Sequence, residues 1–195
     1  MKLRSLLLFF LMSFHFIVAA QLDYGKVKGR KDYCKKHTPC KCDSLNTHIC
    51  NSKNELEIRV DYVDSNMVQH FQMLTYDSSK KWSAIVILDT LVYARDRRTL
   101  VKKSSRTYAL DPVTSFENIY NELKNNNIFR LTDINEFSGR SYTLTYKAGD
   151  KIRQYSFPDP VQLRVFNPAR GGMKRYSNIV DIFTNQFNFQ ALYKN

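Results

Sequence analysis

All four cysteines, Cys34, Cys40, Cys42 and Cys50, lie within seventeen residues, and none follows. Any covalent staple is therefore confined to one short stretch, and everything after residue 50 must be held by a packed core. An even, closely spaced set reads as two disulfides in an oxidising compartment, and the three possible pairings cannot be separated from spacing alone. Cys40 to Cys42 ranks last among them, because one intervening residue strains the bridge. A zinc site recruiting His37 and His48 is the alternative, but the spacing matches no standard finger and no metal is expected.

The first twenty residues set the expected compartment. Lys2 and Arg4 precede an almost unbroken apolar run from Leu6 to Ala20, and Val18, Ala19 and Ala20 place small residues at the cleavage position. This predicts a signal peptide over 1–20, a mature start at Gln21 and a secreted, extracellular product. A membrane span needs roughly 20 apolar residues, whereas this run is shorter and broken by Ser13 and His15. No later segment approaches that length, so no transmembrane span is expected. Losing Lys2 and Arg4 lowers the formal charge only from +12 to +10.

Residues 21–54 form a basic, cysteine-rich segment. Their few large aliphatic residues, Leu22, Val27, Leu45 and Ile49, cannot build a core, so disulfides must hold its shape. Residues 55–195 read as an α+β globular domain: a mostly antiparallel sheet with two helices, preceded by the small disulfide-stapled segment.

Leu56, Ile58, Val60 and Tyr62 alternate with Glu57, Arg59 and Asp61, the period of a half-buried strand. Phe71 to Tyr76 and Trp82 to Leu88 are further strands around the turn Asp77–Lys80, the second placed centrally in the sheet. Leu91 to Arg95 and Thr107 to Leu110 flank a charged stretch. Asp111 with Pro112 predicts a helix start, followed by Val113, Phe116, Ile119, Tyr120 and Leu123 on one face. Ile128, Phe129 and Leu131 are expected beneath the sheet. Tyr142 to Tyr146 and Lys151 to Phe157, joined through Ala148, Gly149 and Asp150, predict a hairpin. Val161 to Phe166 is a candidate edge strand. Asn178 with Asp181 predicts the cap of a last helix whose apolar face is Ile179, Ile182, Phe183 and Phe187.

The order of these elements between Ala84 and Phe183 resembles an uncharacterised family of small exported domains. In that family a hairpin leads through a Tyr-x-Leu turn into a helix, an Asn and Phe pair closes it, and a Tyr-rich hairpin follows. The matching residues are Tyr108, Leu110, Phe129, Leu131, Tyr142, Leu144 and Tyr146. The resemblance covers about half the chain, excludes the cysteine-rich segment and implies a fold only.

No G-x-S-x-G, no H-E-x-x-H and no cysteine in the main domain is present, so no catalytic residue is expected and the protein is read as a non-enzyme without cofactors. A basic ribonuclease would need two histidines and a lysine, for which His37, His48 and Lys41 are available without a fixed geometry. His70 reads as a packed strand residue. The close acidic pairs Glu55 with Glu57 and Asp61 with Asp64 read as the solvated side of a sheet.

Basic residues form three clusters in the sequence: Lys26, Lys28, Arg30, Lys31, Lys35 and Lys36; then Arg95, Arg97, Arg98, Lys102, Lys103 and Arg106; then Arg170, Lys174 and Arg175 around Gly171 and Gly172. Such a field attracts polyanions, and outside a cell these are sulfated glycans, anionic lipid, acidic matrix and mineral-associated polymers. A solubilising charged face is the plainer reading. Nucleic acid is not expected, because the aromatic residues fall on apolar faces that a core would use. The primary expectation is a secreted protein binding an anionic extracellular surface or macromolecule. A structural component of an extracellular matrix, skeleton, shell or cuticle is the alternative, and an effector or inhibitor acting through the cysteine-rich segment is a further one. Oligomeric state is not encoded in any motif.

Overall fold

The computed structural model describes residues 22–36, 48–95, 100–132, 141–159 and 171–187. Six strands, β1 Leu56–Val63, β2 Val68–Tyr76, β3 Trp82–Tyr93, β4 Leu100–Ala109, β5 Ser141–Ala148 and β6 Lys151–Pro158, form one antiparallel sheet in the order β4-β3-β2-β1-β5-β6. The described helices are α1 Tyr33–Lys36, a single turn, α2 Phe116–Asn125 and α3 Gly171–Asn185, with 3₁₀ turns at Ile49–Asn51 and Ile128–Arg130. The α+β class is as expected, with α1 added to the two anticipated helices. None of the described helices is long and apolar enough to cross a membrane. The leader 1–20 and the candidate strand Val161–Phe166 lie outside the described residues.

β1 sits at the middle of the sheet because it is apolar where both neighbours are. Ile58 faces Leu74 on β2 and Tyr146 on β5, and Val60 faces Leu144, all fully buried. Ile119 and Leu123 of α2, Tyr176, Ile179 and Phe183 of α3, and Ile128, Phe129 and Leu131 close this core. Each fully buried aliphatic or aromatic side chain contributes about 1.5–3 kcal/mol through removal from water. The β5–β6 hairpin turns through Gly149 at φ +59°, a conformation that costs glycine nothing.

Several boundaries differ from expectation. Asp111 and Pro112 do not open α2. Pro112 forms a β-bridge with Phe187, and the Val113 amide donates to the Gln186 carbonyl at 2.8 Å, so this stretch is extended. Ser115 is the cap instead, its hydroxyl accepting from the Asn118 amide at 3.1 Å. α3 begins at Gly171, so Gly171 and Gly172 are helical and Asn178 lies inside the helix, donating from Nδ2 to Asn126 Oδ1 at 2.8 Å. Apolar spacing through Met173, Tyr176, Val180 and Phe183 outweighs the poor helix propensity of the two glycines. Leu91 continues β3 without a break, and β4 runs through Lys102, Lys103 and Arg106, because pairing with β3 satisfies the backbone of this charged stretch.

The basic N-terminal segment is built into the main sheet. Leu22, Tyr24 and Val27 pack against the core, Arg30 forms a β-bridge with Ile152, and the Lys28 amide donates to the Phe129 carbonyl at 2.9 Å. A β-carbon at Gly29 would come within 2.9 Å of Lys151 Cβ, so glycine is what permits this approach to β6. Tyr33 and Ile49 bury with Ile152, which brings Cys34 and Cys50 together as a disulfide with Cα atoms 5.7 Å apart.

Only one of the three possible pairings contains Cys34–Cys50, and it is the one that leaves Cys40 with Cys42, ranked last on strain. Packing of Tyr33 and Ile49 on β6 therefore decided the bond where local spacing argued otherwise. Cys40 and Cys42 themselves lie outside the described residues. Replacing Cys34 and Cys50 together by serine is expected to cost about 3 kcal/mol, the loop-closure value for a cross-link of this span. A urea midpoint unchanged from the parent protein would contradict it.

Candidate anion-binding surface

The polar side of β1 is closed off by the segment before it. Glu57 and Arg59 are only 2% and 6% exposed, and Arg59 Nε donates to Glu57 Oε1 at 2.5 Å. Ser52 Oγ and Asn54 Nδ2 donate to Glu57 Oε2 at 2.5 and 2.8 Å. Lys147 Nζ donates to the carbonyls of Ser52 and Asn54, and burial lowers its pKa against the opposing pull of Glu57. Glu57 is thus a structural anion, contrary to the expectation of a solvated face, because residues 52–54 fold over it.

The other members of the two close acidic pairs, Glu55, Asp61 and Asp64, are likewise engaged. Glu55 accepts from Lys80 Nζ at 2.7 and 2.8 Å, and Asp61 accepts from Gln69 Nε2 at 2.9 Å. Asp64 accepts from the Asn66 and Val68 amides and stands 3.0 Å from His70 Nε2. Burial works to raise the Asp64 pKa, but the bonds from Val68, His70 and Asn66 outweigh it and hold the carboxyl below its usual range. His70 is a buried strand residue, as read, stacked on Tyr62 with ring centroids 4.7 Å apart. Tyr62 stacks in turn on Tyr142 at 4.6 Å, continuing an aromatic row across β2, β1 and β5. His48 Nδ1 accepts from the Cys50 amide at 3.3 Å, and the disulfide removes two of the sulfurs that a zinc site would have used as thiolates. His37 and Lys41 lie outside the described residues.

Among the described residues, the N-terminal and β4 basic clusters lie at opposite edges of the sheet. Lys26, Lys28, Arg30, Lys31 and Lys35 have exposed side chains along the segment that bridges to β6, and Lys36 closes α1. Lys31 pairs with Asp150 at 2.6 Å, and the contact raises the lysine pKa and lowers that of the aspartate. Lys102, Lys103 and Arg106 are exposed on β4, at the opposite edge of the sheet. Five strand spacings, roughly 24 Å, separate the two edges. Lys174 and Arg175 are exposed in the first turn of α3, while Arg97, Arg98 and Arg170 lie outside the described residues.

A concave site appears where sequence spacing gave no sign of one. Tyr24, Gly25 and Lys26 meet Lys124, Asn125, Asn127, Phe129 and Arg130 around a cavity of about 340 Å³. Three of these lining residues are cationic and none is acidic. Asp23, next to the lining, accepts from Lys124 Nζ at 2.7 Å and from the Gly25 amide at 2.8 Å, and its pKa is lowered mainly by the lysine. Arg130 Nε donates to the Lys26 carbonyl at 2.9 Å, and Tyr24 meets Phe129 edge-on at 6.0 Å. Lys26 was a candidate from the sequence; Lys124 and Arg130 were not, being isolated charges about a hundred residues away. The signal that could have found them is the helix end at Asn125–Asn127, where Asn127 adopts a left-handed conformation at φ +56° and turns the chain back toward the N-terminal segment.

No model of a known protein family matches this chain, and no curated protein matches it either.

Proposed function

We propose that this is a non-enzymatic, secreted protein that binds anionic extracellular surfaces or macromolecules through its basic N-terminal segment and the adjoining cavity. The observation that carries the reading is the meeting of Lys26, Lys124 and Arg130 around one cavity whose lining residues include no acid. Asp23 offsets the charge of Lys124, so Lys26 and Arg130 supply the positive excess beside the cavity, which favours a sulfate, phosphate or carboxylate there. Tyr24 and Phe129 supply an apolar wall beside the charges, as ligand sites commonly do. The adjoining exposed side chains of Lys28, Arg30 and Lys35 extend the positive strip beyond the cavity, matching a polymer better than a small ion. Glycans and acidic matrix polymers share this chemistry.

The full chain is expected to be retained on immobilised heparin at physiological ionic strength and released as salt shortens the Debye length below about 8 Å. Lys26→Glu with Arg130→Glu is expected to elute at clearly lower salt, whereas Lys81→Glu, an exposed lysine on the β2–β3 turn, should leave elution within the small shift expected for two units of net charge. Flow-through of the unmodified protein, or a double-variant shift no more than twice that of Lys81→Glu, as its doubled charge change alone would give, would argue that the charge only solubilises.

A further inference from the structure

Exposed large apolar side chains are few among the described residues, and three of them lie within two neighbouring cross-strand pairs: Val92 at 37% and Val101 at 42%, which are partners on one face of the ribbon, and Tyr93 at 59% on the other face. All three lie where the β3–β4 hairpin outruns the sheet. β2 pairs with β3 only as far as Thr90, whereas β3 goes on to pair with β4 through Val92↔Val101 and Tyr93↔Leu100. Only these two pairs overhang, since the Leu91 amide still donates to the Met67 carbonyl at 2.8 Å, and the overhang has no third strand beside it. Clustered apolar exposure of this kind marks an interaction surface, whereas single exposed residues do not.

Cations surround the apolar group. Arg95, Lys102, Lys103 and Arg106 are all exposed. The register passes from Thr90↔Ser104 to Leu91↔Lys102, so Lys103 is the extra residue of a bulge, which sharpens the twist of the ribbon. Asp89, the acid facing this stretch of β4, is 3% exposed and is engaged by Ser105 Oγ at 2.5 Å and Lys102 Nζ at 3.4 Å. Its charge is therefore directed inward, and the outer surface is apolar and positive.

Candidate occupants differ in how much of this surface they use. A sulfated glycan would meet the cations and leave Val92, Tyr93 and Val101 in water. A second copy adding its β4 edge would set Lys102, Lys103 and Arg106 against their own kind, the charge pattern by which edge strands resist self-association. An anionic bilayer met by the ribbon edge-on, so that side chains of both faces reach it, uses both halves: apolar side chains enter the boundary between headgroups and acyl chains, a tyrosine ring lies at headgroup depth, and long cationic side chains reach lipid phosphates. We propose that this end of the β3–β4 hairpin docks on an anionic phospholipid bilayer. The proposal rests on the polyanion reading above and names the surface met by one of its basic clusters, at the sheet edge opposite the cavity.

Co-sedimentation of the full chain with vesicles of phosphatidylcholine, with and without phosphatidylserine, tests it. The unmodified protein is expected to sediment with the anionic vesicles only. Val92→Ser, Tyr93→Ser and Val101→Ser together should weaken that binding by at least roughly tenfold through lost apolar burial, leaving heparin retention unchanged. Lys103→Glu with Arg106→Glu should weaken it by at least roughly thirtyfold. All substituted side chains are exposed or on the outer edge, and an unchanged melting temperature confirms that the fold survives. In Tyr93→Trp, tryptophan emission should shift to the blue when anionic vesicles are added. Vesicle binding undiminished in the triple serine variant, with heparin retention intact, would overturn the hairpin proposal alone. Dimerisation of the parent protein that the serine variant abolishes, without vesicle binding, would overturn it in favour of a second copy. Failure of the parent protein to bind either heparin or anionic vesicles would remove the polyanion reading itself.

Discussion

Replacing Glu57 by alanine is expected to destabilise the protein by roughly 3–5 kcal/mol, the cost of removing one partner from a buried ion pair. Arg59 stays buried at 6% exposure but loses the carboxylate oxygen 2.5 Å from both Nε and Nη2. Ser52 and Asn54 lose their shared acceptor at the same time, and with it the fold of residues 52–54 over the sheet. The guanidinium also lies 5.6 Å from the Phe71 ring centroid, a contact that survives the substitution. Glu57→Leu combined with Arg59→Met removes both charges and should recover most of the loss, since apolar replacements of buried pairs are often neutral. Denaturant midpoints at constant m-value provide the measurement. A double variant as unstable as Glu57→Ala would show that the charge imbalance is not the cause.

Alkaline solution is expected to unfold the protein steeply, beginning at about pH 10 where an unfolded tyrosine starts to ionise. Burial pushes the phenols of Tyr120 and Tyr146 far above their ordinary range, and that of Tyr24 up to about 12. The folded state therefore keeps protons that the unfolded state releases. Stability from these groups is fully present below the unfolded pKa and is lost as pH rises toward the folded values. Tyr120 and Tyr146 are 5% and 0% exposed, and each should remove about 1.4 kcal/mol per pH unit through that window. Both also tie down the basic segment: Tyr120 donates to the Asp23 carbonyl at 2.8 Å, and Tyr146 donates to the carbonyls of Lys28 and Phe129. Melting temperatures followed from neutral pH upward should fall sharply past that point, and Tyr146→Phe should be less stable at neutral pH yet show a shallower alkaline decline. A melting temperature that stays flat well past pH 10 would contradict the protonation argument.

Strands were legible in the chain because their signal is local. Alternation from Leu56 to Tyr62 and the glycine between Ala148 and Asp150 each report on a few neighbouring residues, and both elements formed where those residues imply. Boundaries failed where a distant partner competed with a local preference. Pro112 is a good first helical residue in isolation, but Phe187 and Gln186 hold its neighbourhood extended. The two glycines at 171 and 172 discourage a helix, yet α3 includes them because the residues after them bury a continuous apolar stripe.

For the candidate surface the division falls differently. The number and sign of the charges, and the restriction of every sulfur to one stretch, are properties of the chain alone. The grouping of those charges is not, since Lys26 meets Lys124 and Arg130 only after the N-terminal segment is laid between β6 and the end of α2. The same holds for Glu57, whose alternation with Leu56 and Ile58 promised contact with water until residues 52–54 covered it. Periodicity tells a side chain which face of its own strand it occupies; what lies against that face depends on chain far removed, and contacts of that range leave no period behind.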